Sequence, residues 1–340
     1  MKAALLGEYH RPLELVERPE PEPGGARDVV VRVGGAGVCA TDLHAIDGLM
    51  EPAGLTTPVV LGHENAGWVH AVGDGVTAAA VGDAVLLYPP YSCGLCVPCR
   101  RGRDMHCERH QFTGLTRDGG FADYVLVDER SLIPLPEGVE PAAVAPHADA
   151  GLTANHAVKK LVPRLLPDST TAVIGVGGVG HIALQLVRVL GAGAVVAIDT
   201  DERRRNLARE LGADEVLGEQ DDVAGAVREV TGGAGADVVL DCVGTDDTHG
   251  AGLAMLSRGG LYSSVGYGGT VTLPSVALVA QDLAIQGNLV GNWIDLWEIL
   301  QLHGRGEIVL RTETHPLDEI NEVLGRLREG EVTGRAVLVP

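Results

Sequence analysis

Aromatic side chains are scarce in this chain, with two Phe, three Trp and six Tyr among 340 residues. The apolar fraction is nonetheless 45%, so its cores must rest on Ala, Val, Leu and Ile. Lysine is scarcer still. Lys2, Lys159 and Lys160 are the whole set, and arginine carries most of the positive charge. Acidic residues outnumber basic ones by 46 to 26, a formal net charge of −20. Such a field repels phosphate backbones and anionic lipid, which excludes nucleic acid and the membrane as main partners. No apolar run approaches the ~18–20 residues of a membrane span. The opening "MKAALLGEYH" holds four apolar residues before Gly7 and Glu8, too few for a secretory signal. The expected location is the cytoplasm, where thiols stay reduced.

What is present falls into two regions. The first 140 residues hold Val-rich runs separated by Gly, Pro and Asp: "DVVVRVGGAGV", "PVVLGHENAGWVHAVG", "GDAVLLYPP" and "FADYVLVDERSLIPLP". These read as short β-strands. Near residue 141 the chain turns Ala-rich and helical in "PAAVAPHADAGLTANHAVKKL". Apolar strands then alternate with amphipathic helices. The strands are "TAVIGVG", "AVVAIDTD", "DEVLG", "ADVVLDCVG" and "GLYSSVGYG", with helices near 179–190, 203–211, 222–230 and 247–257. That alternation predicts a doubly wound parallel sheet. Two further helices, "DLWEILQLHGRG" and "LDEINEVLGRLREG", precede a last strand, "GRAVLVP".

Within the first strand–helix unit, Gly175, Gly177 and Gly180 fill G-x-G-x-x-G, with Gly178 and Val179 between them. The first glycine permits a tight turn, the second admits a pyrophosphate, and the third lets helix and strand pack closely. The helix N-terminus adds a partial positive charge. Asp199 ends the next strand, nineteen residues after Gly180. A carboxylate there suits adenosine ribose hydroxyls and repels a 2′-phosphate, which favours NAD over NADP. Arg203, Arg204 and Arg205 complicate that choice, because nearby arginines accommodate NADP.

Only six cysteines occur, and Cys93, Cys96, Cys99 and Cys107 lie within one stretch, C-x2-C-x2-C-x7-C. Four thiolates close a tetrahedral shell around zinc and leave no position for substrate. The loop therefore reads as a structural zinc site. An iron–sulfur cluster is the other four-thiolate chemistry, and a disulfide is disfavoured by the reducing location. A second donor set lies in three separate segments: "GVCATDLH" with Cys39, Thr41, Asp42 and His44; "GHENAG" with His63 and Glu64; and "HADAG" with His147 and Asp149. One thiolate, one imidazole and one carboxylate would hold zinc with a position left open. Spacing alone does not join these segments.

Along nearly its whole length the chain resembles the medium-chain, zinc-dependent alcohol dehydrogenases. The likeness is carried by "GVCATDLH", "GHENAGWVHAVGDGV", "GDAV", the four-Cys lobe, "ADAGLTANHAVKK", "GVGGVG" with Asp199, and "PLDEINEVLGRLREGEVTGRAVLVP". It is strongest toward bacterial and archaeal NAD-dependent members acting on secondary or broad-range alcohols. The resemblance implies a GroES-like, β-rich catalytic domain from residues 1–150 and 287–340, with a Rossmann domain at 151–286. It implies two zinc ions and NAD, a small alcohol or ketone as partner, and a homo-tetramer or dimer. Cys39, His63 and Asp149 become the catalytic zinc ligands, with Glu64 a nearby carboxylate able to approach the metal. Asp42 fixes the His63 ring. Thr41 and His44 relay the hydroxyl proton by way of the cofactor ribose. Arg204 is placed on the adenosine ribose, Arg335 on the pyrophosphate and Trp293 at the substrate pocket. Many relatives carry Cys where this chain has Asp149, and some carry a basic residue at the position of Ala40, which puts more weight on Arg335. His147 is left to the core or surface. A polyol dehydrogenase, or a reductase of activated C=C or C=N bonds, is the alternative on the same scaffold. Asp149 in place of Glu counts against the first, and an intact Thr41–His44 pair against the second.

Overall fold

The computed structural model describes residues 1–218 and 222–340. The chain divides into two compact units. One comprises Met1–Leu152, Asn292–Gly306 and Leu310–Pro340; the other comprises Thr153–Gly291 with Glu307–Val309.

The first unit is built on a mixed, mainly antiparallel sheet. Its strand order is Leu132–Pro134, Ala84–Leu87, Glu64–Val72, Asp28–Val38, Arg335–Val339 and Thr312–Pro316, with Tyr124–Asp128 also paired to Asp28–Val38. The Val residues of Asp28–Val38 are buried, as a central strand covered on both faces requires. The same strand holds Gly34 and Gly35, and its register against Glu64–Val72 shifts between Val33 and Gly35. A Cβ on Gly34 would lie 2.6 Å from the Trp68 ring, so glycine is what admits that indole. "FADYVLVDERSLIPLP", read as one run, is two strands separated by a turn at Glu129–Ser131. Asp128 causes the break, since its side chain caps the turn by accepting from Arg130 N–H at 3.0 Å. The C-terminal strand Arg335–Val339 runs antiparallel to Asp28–Val38 and parallel to Thr312–Pro316. Residues some 300 positions apart in the sequence thereby share one sheet.

The second unit is a doubly wound sheet. Among the described residues its strands run parallel in the order Glu215–Leu217, Ala194–Ile198, Thr170–Ile174, Ala236–Asp241, Leu256–Ser264 and Ala284–Gly287. The helices Gly180–Leu190, Glu202–Glu210, Val223–Val230 and Asp246–Ala254 fall close to the predicted ranges. The sixth strand, Ala284–Gly287, lies outside the five runs read as strands. Its four residues alternate between half-buried and exposed, which is the weak signal of a sheet edge. The helix read from "DLWEILQLHGRG" starts earlier, at Trp293. Asn292 Oδ1 accepts from Asp295 N–H at 2.9 Å, and Asp295 Oδ2 accepts from Asn292 N–H at 3.0 Å. That reciprocal cap fixes the helix start.

Among the described residues no helix is long and apolar enough to cross a membrane.

Candidate active site

Cys39 follows directly on the central strand Asp28–Val38 of the first unit and caps the helix Ala40–Ile46. Asp42, in the first turn of that helix, is fully buried, and its Oδ2 accepts from Cys39 N–H at 2.8 Å. Its other oxygen lies 3.2 Å from His63 Nδ1, a charge contact whose angle falls short of a hydrogen bond. His63 and Glu64 stand at the start of the neighbouring strand, and Gly37 pairs with Glu64 in the ladder. A side chain at Gly37 would collide with the Glu64 carboxylate, so that glycine makes room for it. Asp149 precedes the helix Ala150–Leu161. The first amide of that helix, Ala150 N–H, donates to Glu64 Oε1 at 3.1 Å.

These elements bring together what spacing could not. Ligand atoms of Cys39, His63, Glu64 and Asp149 all lie within 4.8 Å of one another. Asp149 Oδ2 is 3.8 Å from Cys39 Sγ and 3.5 Å from His63 Nε2. Tetrahedral zinc with ordinary bond lengths would set those separations at roughly 3.6 and 3.4 Å. The Nε2 of His63 is buried without a hydrogen bond and faces Asp149, as expected of a nitrogen meant to ligate, while Nδ1 faces Asp42. Burial opposes a charge on His63, yet Asp42, Asp149 and Cys39 outweigh it and raise its pKa. The same concentration of negative donors would favour a cation. The donor set therefore fits zinc.

Thr41 Oγ1 lies 3.7 Å from Cys39 Sγ. His44 follows on the next turn, and burial lowers its pKa from the ordinary histidine value, against the raising effect of Asp47. Glu64 is held on its far side by the buried guanidinium of Arg335. Burial raises the Glu64 pKa, and Arg335 works against that rise. The Glu64–Arg335 contact joins two residues 271 apart, and nothing in either segment announces it. Trp293 is half-buried, and its indole N–H donates to Leu132 O at 3.3 Å. His147 is a core residue, its ring 5.0 Å from that of His303.

The four-Cys lobe is a separate cluster in the same unit. Cys96 Sγ lies 3.4 Å from Cys99 Sγ and 3.9 Å from Cys107 Sγ, and all four sulfurs lie within 4.8 Å of one another. A tetrahedral Zn–S4 shell would place its sulfurs roughly 3.8 Å apart. Amide N–H groups point at the sulfurs: Cys93 and Arg109 donate to Cys107, each at 3.3 Å, and Cys96 donates to Cys93 at 3.4 Å. Backbone N–H groups of Leu95 and Cys96 lower the Cys93 thiol to about 6, which favours the thiolate form that a metal would bind at neutral pH. None of the six cysteines forms a disulfide.

In the second unit the glycine turn lines a cavity of about 430 Å³ with Asp199, Arg204, Val243 and Thr248. Gly175 has φ +82°, and a Cβ there would stand 2.5 Å from Val243 Cγ2. At Gly177 a Cβ would meet nothing within 4 Å, so the backbone is open to a ligand. The cavity lies at the C-terminal ends of parallel strands, where such folds take dinucleotides. Asp199 Oδ2 accepts from Val176 N–H at 2.7 Å and Oδ1 from Asp201 N–H at 2.9 Å, which fixes its carboxylate beside the turn. The three arginines separate. Arg203 pairs with Asp201 at 2.6 Å, Arg205 donates to Thr200 O at 2.7 Å, and Arg204 lines the cavity. These features fit a dinucleotide. The sequence reading named neither Cys242 nor Val243 as lining, though "DCVG" at the end of a parallel strand was the available signal.

Comparison with known proteins agrees with this geometry. Residues 25–137 match the model of the alcohol dehydrogenase GroES-like domain, and residues 178–303 match that of the zinc-binding dehydrogenases. The chain is similar to the alcohol dehydrogenase of the hyperthermophilic archaeon Aeropyrum pernix, at 43% identity and a TM-score of 0.97 over the full length of both chains. It is 35% identical to an NAD-dependent alcohol dehydrogenase of Sulfolobus acidocaldarius, over 99% of each chain. It is also similar to the D-arabinose dehydrogenase of Sulfolobus solfataricus, at 31% identity and a TM-score of 0.87, covering 100% of this chain and 99% of that one.

Proposed function

Since this chain belongs to the medium-chain, zinc-dependent alcohol dehydrogenase family, we propose that it interconverts secondary or broad-range alcohols with their ketones or aldehydes, using NAD. The observation that carries the reading is the convergence of Cys39, His63 and Asp149, with Glu64 alongside and His63 Nε2 buried without a hydrogen bond. Zinc held by these three ligands would supply Lewis acidity, lowering the pKa of an alcohol or polarising a carbonyl. NAD bound at the Gly175–Gly180 turn and Asp199 would accept or return the hydride.

The chain's own residues account for the rest. Asp42 orients His63 by holding the ring from its Nδ1 side, which leaves Nε2 to ligate. Arg335 and Ala150 N–H hold both oxygens of Glu64, so that carboxylate reaches the metal only by giving up a partner. Thr41 takes the substrate hydroxyl proton, and His44 passes it toward solvent. The first unit is assigned as the catalytic domain and the second as the nucleotide-binding domain. A cytoplasmic location is proposed with these assignments.

We also assign a homo-oligomer, a tetramer by resemblance. Support comes from the edge strand Ala284–Gly287 beside Val276 and Val279, which are 73% and 79% exposed. Light scattering reads this directly, and a monomer would remove it.

The test of function is the initial rate of NAD⁺ reduction across primary, secondary and cyclic alcohols, polyols and aldose sugars. Rates are measured before and after zinc is stripped by a chelator and restored. Activity on simple alcohols that disappears with zinc and returns with it is the expected result. The similarity to a D-arabinose dehydrogenase favours one second reading, oxidation of a sugar, and a preference for aldoses in the panel would select it. No oxidation of any panel member by zinc-replete protein would overturn both.

A pH profile tests the relay. A depressed His44 pKa keeps the ring neutral, and able to accept a proton, from below the ordinary value of ~6.5 upward. Any limb of alcohol oxidation that His44 controls should therefore lie below pH ~6.5. It should disappear in His44→Asn. An identical profile in that variant would remove His44 from the relay.

A further inference from the structure

The second unit contains a buried polar chain that the proposed chemistry does not use. Tyr262 and Asp241 are fully buried, and His249 is nearly so. The Tyr262 hydroxyl donates to Asp241 Oδ2 at 2.6 Å, and His249 Nδ1 lies 2.6 Å from the same hydroxyl oxygen. With the phenol proton directed at the carboxylate, the histidine is the donor to the phenol oxygen. Burial and the Asp241 carboxylate both raise the Tyr262 pKa, so the phenol keeps that proton. Gly252, on the helix above, leaves the space for the ring, since a Cβ there would lie 2.5 Å from Tyr262 Cε2.

Asp241 spends its remaining acceptor capacity on two turns. Its Oδ1 accepts from Val243 N–H at 2.8 Å and Gly244 N–H at 3.0 Å. Its carbonyl oxygen accepts from Val265 N–H at 2.8 Å and Gly266 N–H at 3.0 Å. Cys242 N–H donates to Ile174 O at 2.9 Å, which ties the first turn to the strand leading into the glycine motif. Val243 is also the side chain that packs over Gly175. The Asp241 carboxylate thus fixes the 243–244 turn beside the one that would cradle a pyrophosphate, while its backbone carbonyl holds the 265–266 turn. A side chain satisfied by this many fixed donors has a single position available to it.

We propose that Asp241, held by Tyr262 and His249, is a positioning residue for the dinucleotide: its carboxylate sets the 242–244 turn against Gly175, and so fixes the wall of the cofactor cavity. Asp241 acts through that turn rather than by contact with the cofactor. The inference rests on the dinucleotide reading of that cavity.

The test is NADH binding by calorimetry on zinc-replete protein, together with thermal midpoint, zinc content, and kcat and KM for NAD⁺. Tyr262→Phe removes one oxygen and keeps the ring. It is expected to raise the NADH Kd and the KM for NAD⁺ about tenfold, with kcat at saturation changed less than about twofold, because one buried partner is lost and no reacting group moves. Both zinc ions should remain. Val187→Ala, buried in the same unit but outside the cluster that holds Tyr262 and outside the cavity lining, is the stability control, and should lower the thermal midpoint while leaving the Kd unchanged. His249→Ala, which removes only the outer donor, should shift the Kd in the same direction by about threefold, and serves if Tyr262→Phe does not fold. An unchanged Kd in the folded Tyr262 and His249 variants, or an equal rise in Val187→Ala, would overturn the inference while leaving the cofactor assignment standing. Failure of the unaltered chain to bind NADH would overturn the cofactor assignment and this inference with it.

Discussion

Cys39→Ala should lower kcat/KM for alcohol oxidation by about 10³-fold, because several kcal/mol of Lewis-acid stabilisation disappears with the metal and each ~1.4 kcal/mol is tenfold. The substitution removes one of three ligands from a buried site and leaves His63 and Asp149 facing each other at 3.5 Å. The strand carrying Cys39 is held by its ladder, and the cap that fixes the following helix uses the backbone N–H of Cys39, which alanine keeps. The fold should therefore survive. Metal analysis should find zinc falling from two equivalents to one, with NADH binding unchanged within a factor of about two. Activity within tenfold of the unaltered enzyme, in protein retaining only the lobe zinc, would dissociate this site from catalysis.

Cys107→Ser should have the opposite profile. Cys107 Sγ accepts two backbone N–H bonds and lies 3.9 Å from Cys96 Sγ, so losing it opens the four-sulfur cluster and releases its metal. Loss of a structural metal belongs among the few changes that cost about 4 kcal/mol or more. At 2–4 °C per kcal/mol for a domain of this size, the thermal midpoint should fall by roughly 10 °C. At low temperature the folded fraction should turn over close to normally, because Cys39, His63 and Asp149 stand on other elements. Scanning calorimetry and rate measurements on one preparation separate the two effects. A loss of turnover without a fall in thermal midpoint would mean that the lobe serves the reaction itself.

This pair of expectations is partly legible in the sequence. The C-x2-C-x2-C-x7-C spacing keeps its four ligands within fifteen residues, so the chain itself limits how far apart the sulfurs stand. The glycine turn was legible for the same reason. Gly175, Gly177 and Gly180 act over six residues, and Asp199 is one strand away. Strands and helices of the second unit follow from local patterning: short apolar runs for the strands, and neighbours three or four positions apart for the helices.

Other features had no local expression. The sixth strand sits at a sheet edge and buries too little to show alternation. Cys39, His63 and Asp149 are separated by 24 and 86 positions, and only their resemblance to a family's motifs joined them before the sheet did. The Glu64–Arg335 contact exists because the last strand pairs with the strand that also neighbours Glu64. Asp241, Tyr262 and His249 each read as ordinary strand or helix residues until the parallel register set Asp241 beside Ser264, with Tyr262 two residues away. By itself the sequence determined the four-thiolate zinc lobe, the dinucleotide turn and the fold class, because each is written in contiguous residues or local periodicity. The tertiary structure decided which distant carboxylates and cations share a buried space. Strand pairing, rather than chain proximity, brings those groups together, and burial makes each of them require a partner.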